Sequence, residues 1–285
     1  MILYKKMKSS IFNKKLFGGE IRIEVYGYNE SQTLESIIEQ MYQEALRLQK
    51  IFNFFDPDSE LSKLNKNGEL KVSPEMLKVI KKSLEFSEIT DGNYDIALGA
   101  WIAQRKNKQP ETKTRNSYKD IEINSDKITL KNNVAIDLGS IAKGYITDKL
   151  GEFLKEKGIK EFLIDSRGDI LVSGDYSHIL GVQDPRDKEK SLFSINITDQ
   201  AVATSGDYEQ FYGDFEKSHI INKKDVIAAT IIADNLEIAD VIATSLMVSD
   251  KQTRERIMKK YGKAKAFIVT KNSEEYYNNF EDIIK

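Results

Sequence analysis

Cysteine is absent from this chain of 285 residues. That excludes disulfides, thiolate zinc sites, cysteine nucleophiles and lipid attachment at an N-terminal cysteine. Histidine is nearly absent: His178 and His219 are the only two and stand far apart, so a multi-histidine metal cluster is excluded as well. An excess of one charge is also missing. Lys and Arg number 43 against 45 Asp and Glu, a formal charge of −2, whereas a phosphate backbone is normally met by clustered positive charge. Nucleic acid is therefore not expected as a partner. No run approaches the roughly 20 apolar residues that span a bilayer. Residues 1–15 carry positive charge without the apolar centre of a signal peptide. The expectation is a cytoplasmic protein with no membrane insertion. Gly-x-Ser-x-Gly elbows, Walker loops and dinucleotide-type glycine fingerprints are missing too. What remains for chemistry is hard oxygen, carboxylates and hydroxyls, which suits magnesium or calcium.

A hydrophobic fraction of 40% gives a globular chain with ample core, long enough for one large domain or two closely joined ones. Residues 20–27 alternate polar and apolar, as a strand with one buried face does. Ser31 can cap a helix whose apolar positions recur from Leu34 to Leu48. Phe54, Phe55, Asp56 and Pro57 then lead into a short helix that Asp58 or Ser59 can cap. Pro74 opens a second long helix at the position where proline is tolerated, and Gly92 reads as its stop. Residues 103–117 are polar and without periodicity, a surface excursion, and a hairpin signal follows around Asn124, Ser125 and Asp126. Short strands are expected at 162–165, 169–172, 178–182, 192–197, 201–204, 226–233 and 265–270, with helices at 237–248 and 253–261. Regular βαβ alternation is lacking. The pattern predicts an α+β fold: mixed, largely antiparallel sheets packed with long helices.

Residues 135–150 form the junction on which chemistry can turn. A short apolar strand end, Val134 to Ile136, runs into Asp137, Gly139 and Ser140, then into an amphipathic helix bearing Lys143. Backbone N–H groups at a helix start favour anions and a lysine adds a point charge, so the segment suits a metal-associated phosphate. It also suits an ordinary turn with Ser140 as N-cap and Lys143 in solvent. Asp240 and Thr244 stand one helical turn apart and can meet one ion. Their neighbours Ile238, Ala239, Val241, Ile242 and Ala243 are apolar, so the carboxylate needs a partner or a metal. Ligation and ordinary hydrogen bonding are both open from the residues alone. His219, set between Ser218 and two isoleucines, reads by default as a histidine satisfied by backbone. Asp137, Asp165, Asp169, Asp184 and Asp207 all follow apolar strand patterns, where functional loops, caps and turns alike place acids.

Seven stretches, in order, resemble the FAD:protein FMN transferase family, also called ApbE. They are residues 54–65, 90–95, 137–144, 183–186, 201–208, 218–221 and 239–244, spread over roughly residues 17 to 270. The resemblance divides the chain into an extension at 1–16, a flavin transferase domain at 17–270 and a tail at 271–285. It implies a magnesium-dependent transferase with FAD as donor substrate. FMN would move onto a threonine or serine hydroxyl of an acceptor flavoprotein, with release of AMP. By this resemblance Ser140, Asp240 and Thr244 hold Mg2+, while Asp137 and Lys143 contact FAD. Asn93, Tyr94 and Asp95 line the nucleotide site, Phe17 and Phe55 take the flavin-side positions, and Ile221 gives a backbone contact. His219 falls near the reacting phosphate, and a neutral imidazole can take the hydroxyl proton, with Asp207 the rival base. FAD hydrolysis to FMN and AMP, and flavin binding without turnover, are the alternatives. Three departures stand out. Arg167, Gly168 and Asp169 stand where the family usually has Gly-Gly-Asp or Gly-Gly-Asn. Asn222, Lys223, Lys224 and Asp225 replace a usual Asp-Pro-Arg-Thr-Gly, and Phe55 replaces a tyrosine.

Overall fold

The structure is a computed structural model that describes residues 8–28, 31–106, 116–206 and 224–285. Strand β1 (Ser9–Leu16) and strand β2 (Gly19–Tyr26) form a hairpin, and the alternation in β2 buries Ile21, Ile23 and Val25 on one face. Helix α1 (Ser31–Phe52) follows, then α2 (Glu60–Asn67), β3 (Glu69–Lys71), α3 (Pro74–Ile89) and α4 (Gly99–Lys106). The caps are local chemistry. Ser59 accepts from the N–H of Ser62 and Ser73 from that of Met76, while Gly68 closes α2 in the left-handed region. Strands β4 (Ile121–Asn124) and β5 (Lys127–Leu130) make the expected hairpin and pair with β3 in a small sheet. Next come α5 (Ala142–Glu156), β6 (Phe162–Ser166), β7 (Asp169–Ser173), β8 (His178–Asp184), β9 (Asp187–Ile197) and β10 (Ala201–Gly206). The chain finishes with β11 (Val226–Ala233), α6 (Leu236–Met247), α7 (Lys251–Lys260), β12 (Lys265–Thr270) and β13 (Glu274–Tyr277).

The main sheet has the order β1-β2-β6-β7-β10-β11-β12-β13, and every neighbouring pair is antiparallel. This is the α+β architecture expected from the pattern. Period-2 alternation divides the strands between two cores. Ile164, Leu171, Ile231 and Ile268 face the helices, while Leu163, Val172, Ile232 and Phe267 face the other way. The second face is covered by the β8–β9 hairpin and by the end of the chain. Among the described residues no helix is long and apolar enough to cross a membrane.

The main sheet takes in strands on the far side of both positions, 16 and 271. Residues 9–16 pair with β2 along their whole length, and β13 extends the sheet beyond β12. An edge strand is wet on most sides; β1 buries only Leu16, so its sequence shows no apolar face. After β13 a 3-10 turn (Phe280–Ile283) inserts the fully buried Phe280 between Phe193, Phe267 and Tyr276. The polar run from 103 also begins as helix, since α4 starts ahead of it and carries on to Lys106. The strand expected at Val134–Ile136 is reduced to one parallel bridge between Leu98 and Ala135, because Asn132 and Asn133, both at positive φ, turn the chain just before it.

Phe280→Ala should cost about 3–5 kcal/mol of unfolding free energy, the usual range for emptying a buried aromatic site. Urea denaturation reads it, and a loss below about 1 kcal/mol would show that the tail is peripheral to the second core.

Candidate active site

The chemistry-bearing segment before α5 is anchored from outside. Asn65 of α2 donates to the carbonyl of Ile136 at 2.9 Å and accepts from its N–H at 2.8 Å, fixing the backbone just ahead of Asp137. Asp137 accepts from the N–H of Gly139 at 2.9 Å, which tightens the turn into the helix. Ser140 does not cap α5. The cap position is Ile141, with no side-chain hydrogen bond, and the Ser140 hydroxyl instead shares a 2.9 Å bond with the phenol of Tyr94. Tyr94 is buried in the turn after α3, where Gly92 takes a φ of 79° and the chain reverses. Burial holds its phenol well above the ordinary range, so the hydroxyl stays protonated at neutral pH. Its neighbours serve the turn: Asn93 donates to the carbonyl of Thr90, and Asp95 accepts from the N–H groups of Ala97 and Tyr118.

Helices α5 and α6 meet closely and antiparallel. A side chain at Gly144 would put its Cβ 2.4 Å from the Leu236 carbonyl oxygen, so the approach requires glycine. The N–H of Gly144 donates to Asp240 Oδ2 at 3.1 Å. One turn further along α5 and one turn back along α6, Asp148 accepts from the N–H groups of Leu236 and Glu237 at 2.8 and 2.7 Å. Asn235 takes the next, from Ile238. The opening donors of α6 are thereby satisfied by a residue from another helix. One turn after Asp240, Thr244 shares a 3.2 Å hydrogen bond with Ser205 at the end of β10.

The charges gather at the same place. Lys143 forms an ion pair with Asp169, which also accepts from the N–H of Thr204 at 3.2 Å. Burial opposes the lysine's charge, but Asp169 and Asp240 outweigh it and hold the ammonium above its usual range. Burial pushes the Asp169 acid upward while Lys143 pulls against it. Asp240 is 6% exposed, and burial, with Asp169 next, pushes it up to about 8. Two buried carboxylates thus share one ammonium. Among the described residues no group of three or more histidines and acids is gathered to hold a metal by itself.

Ser140, Lys143, Asp240 and Thr244 are therefore linked through hydrogen bonds and charge to one region, with Tyr94 behind Ser140. Phe17 lies in the β1–β2 turn at a φ of 54°, its N–H held by Gln49 and its carbonyl by Arg167. Phe55 is exposed and rests edge-on against Phe54 at 5.2 Å between ring centroids. Asp207, His219 and Ile221 lie outside the described residues. Asp148 was not singled out from sequence, and Asp169 only as one strand-end acid among several. A carboxylate at the start of a strand is a visible signal, but an acid four residues after Gly144 in an amphipathic helix is indistinguishable from a wet one.

Fold and site together define an α+β protein in which a buried acid–lysine cluster and a freed hydroxyl flank an uncapped helix start. The sequence model of the ApbE family matches residues 17–268, and the chain belongs to that family. A Vibrio cholerae relative named FAD:protein FMN transferase is 25% identical over 258 residues, covering 79% of this chain and 76% of its own. An Escherichia coli relative of the same name is 23% identical over 262 residues, covering 80% and 74%. Among solved structures, an ApbE protein from Thermotoga maritima superposes with a TM-score of 0.85 at 25% identity, over 98% of this chain and 100% of that one. A flavin transferase ApbE from Vibrio cholerae shares the fold, with a TM-score of 0.80 at 21% identity over 97% and 99%.

Asp148 gives a pH signature. Burial pushes its acid from 3.8 up to about 7 against the pull of two N–H groups. Between those values the folded chain binds the proton more tightly than the unfolded chain. The stabilisation is thus complete below 3.8 and is lost as pH rises through about 7. The stability of wild type relative to Asp148→Asn should decline over that interval in urea titrations, and parallel curves would sink the assignment.

Proposed function

We propose that this protein is a magnesium-dependent FAD:protein FMN transferase. It moves the FMN half of FAD onto a threonine or serine hydroxyl of an acceptor flavoprotein and releases AMP. The acceptor oxygen forms a bond to the flavin-side phosphorus as the bond to the AMP phosphate breaks. The electron pair of that bond leaves with AMP, and the hydroxyl proton passes to a base. Attack on a diphosphate is governed by in-line positioning and charge neutralisation. The observation that carries this reading is the cluster at the α5–α6 crossing, where Lys143 and a buried Asp240 stand beside the start of α5.

The donor set fits magnesium. Asp240 is a buried carboxylate whose acid is pushed up to about 8 by burial and by negative charge from Asp169. Such a group is short of positive charge. Thr244 and Ser140 supply neutral hard oxygens, and a magnesium shell with one carboxylate normally fills its remaining places with phosphate and water. Bound magnesium would neutralise charge on the diphosphate oxygens. Lys143, steadied by Asp169, is proposed to contact FAD, with Asp137 on the same turn. Tyr94 is proposed to act through Ser140 by orienting its hydroxyl. Phe17, Phe55, Asn93, Asp95 and the backbone of Ile221 are proposed as further FAD contacts, on the family pattern. His219 is the proposed proton acceptor, with Asp207 the rival.

Incubation with FAD, magnesium and an acceptor flavoprotein should add one FMN to the acceptor, read by intact-protein mass spectrometry. AMP release with no change in acceptor mass would replace transfer by hydrolysis. Asp240→Ala should abolish the magnesium-dependent rate, and wild-type turnover in that variant would remove the ligand assignment. His219→Ala should slow transfer by about two to four orders of magnitude, as for loss of a general base. Retained turnover would shift the role to Asp207.

A further inference from the structure

Arg167 occupies a conformation that a side chain makes costly. It sits in the β6–β7 turn at a φ of 61°, in the left-handed region that residues with a Cβ avoid, followed by Gly168 at 94°. Glycine would suit this position better, and glycine is what the family pattern usually has there. A strained arginine where glycine would relax the turn points to a use for its side chain.

The surroundings are arranged to hold that side chain. Nη1 of Arg167 donates to the Phe17 carbonyl at 2.7 Å across the neighbouring β1–β2 turn. A Cβ on Gly19 would lie 2.7 Å from Nε and 3.0 Å from Cδ, so the bare glycine leaves the channel in which the arginine lies. Two residues on, Asp169 holds Lys143 in an ion pair. The guanidinium is near enough for its charge to act against that of Lys143. Among the described residues no carboxylate pairs with Arg167. It is exposed, and its contact to Phe17 engages one of its five N–H donors, which leaves the guanidinium able to take a ligand. Asp169 pairs with Lys143, and Asp165 accepts from the N–H of Gly168 in the same turn, so Arg167 is a cation that these acids leave unpaired and that suits a negatively charged ligand.

We propose that Arg167 is a substrate-binding residue that takes the diphosphate of FAD alongside Lys143. The proposal rests on the flavin transfer reading and adds a contact that the family pattern, with glycine at this place, does not supply. Planar donors match phosphate oxygens in pairs, which a lysine cannot do.

Three ligands separate the possibilities when titrated calorimetrically with magnesium present: ADP, which carries the diphosphate without flavin, riboflavin, which carries flavin without phosphate, and FAD. Arg167→Gly should weaken ADP and FAD by about ten- to hundredfold, the range for losing a charged hydrogen bond. Riboflavin affinity should stay as in wild type, and the melting temperature should hold or rise because the turn is relaxed. Gly19→Ala leaves residue 167 native but places a methyl group 2.7 Å from Nε, and it should give a smaller loss with the same ligand selectivity. Unchanged ADP affinity in Arg167→Gly overturns the proposal. So does a riboflavin loss as large as that for ADP, because the arginine would then act through Phe17. If wild type binds FAD and ADP and Arg167→Gly loses both, yet no FMN reaches any acceptor, the transfer reading falls and the contact stands. If wild type transfers FMN while the variant binds ADP as tightly, only the contact falls. A wild type that binds neither ligand overturns both.

Discussion

Where α5 crosses α6, Gly144 gives its N–H to Asp240, and one turn away Asp148 takes the first two N–H groups of α6. The two contacts run in opposite senses along antiparallel helices, so they fix both the separation and the register of the pair. Sliding either helix by one residue would break both at once and leave the buried Asp240 and the half-buried Asp148 without donors, a costly state. The crossing is close only because residue 144 has no side chain. The proposed magnesium donors and the lysine beside them hang from these two helices: Ser140 just ahead of α5 and Lys143 in its first turn, Asp240 and Thr244 along α6. Their mutual positions are therefore set before any ligand arrives, the condition under which fixed charges act most effectively on a reacting phosphate.

The electrostatics follow from that geometry. Asp169 and Asp240 lie in low dielectric with Lys143 as the cation that acts on both. Burial, with the negative charge of Asp169 next, pushes the Asp240 acid up to about 8, and the single ammonium does not offset it. A purely structural cluster would be better served by apolar residues, since buried ion pairs seldom add net stability. Keeping an unbalanced one is costly to the fold and useful to a site that must receive a cation together with a polyanion. The Tyr94–Ser140 bond belongs to the same design. A serine that capped α5 would have its oxygen directed at backbone N–H groups. Held by a phenol instead, that oxygen is set by a residue from a different part of the chain.

Much of this was legible in the sequence, and the limits are physical. The alternation in β2, Pro74 at a helix start, Gly92 at a reversal and the apolar spacing of α6 are all local signals, and each element formed as they indicate. β1 and β13 were missed because edge strands are hydrated on most sides and carry little periodicity. Phe280 is one aromatic in a polar tail, and nothing nearby in sequence announces that it is buried. At the site, residue types were readable but partners were not. Asp148 finds its donors 88 and 89 residues away, and Asn65 clamps a segment 71 residues away. Local pattern carries no information about such distances. It could say that Asp240 needed a partner, not that Gly144 would be one.

The sheet explains why the pieces converge. Antiparallel pairing of β2 with β6, β6 with β7, and β7 with β10 brings the β1–β2 turn, the β6–β7 turn and the final residues of β10 to the same end. Phe17, Arg167, Asp169 and Ser205 are carried there by register alone. Two of these residues, Phe17 and Arg167, have left-handed backbone, and the hydrogen bond between them ties one turn to the next. Strain at two adjacent turns, braced by a side chain that crosses between them, has no counterpart in the regular parts of the fold. Left-handed backbone also occurs at Asp91, Ser125, Asn132, Asn133, Asp199, Asn278 and Asn279; at Phe17 and Arg167 it falls in two neighbouring turns that one side chain ties together, beside the acid–lysine cluster.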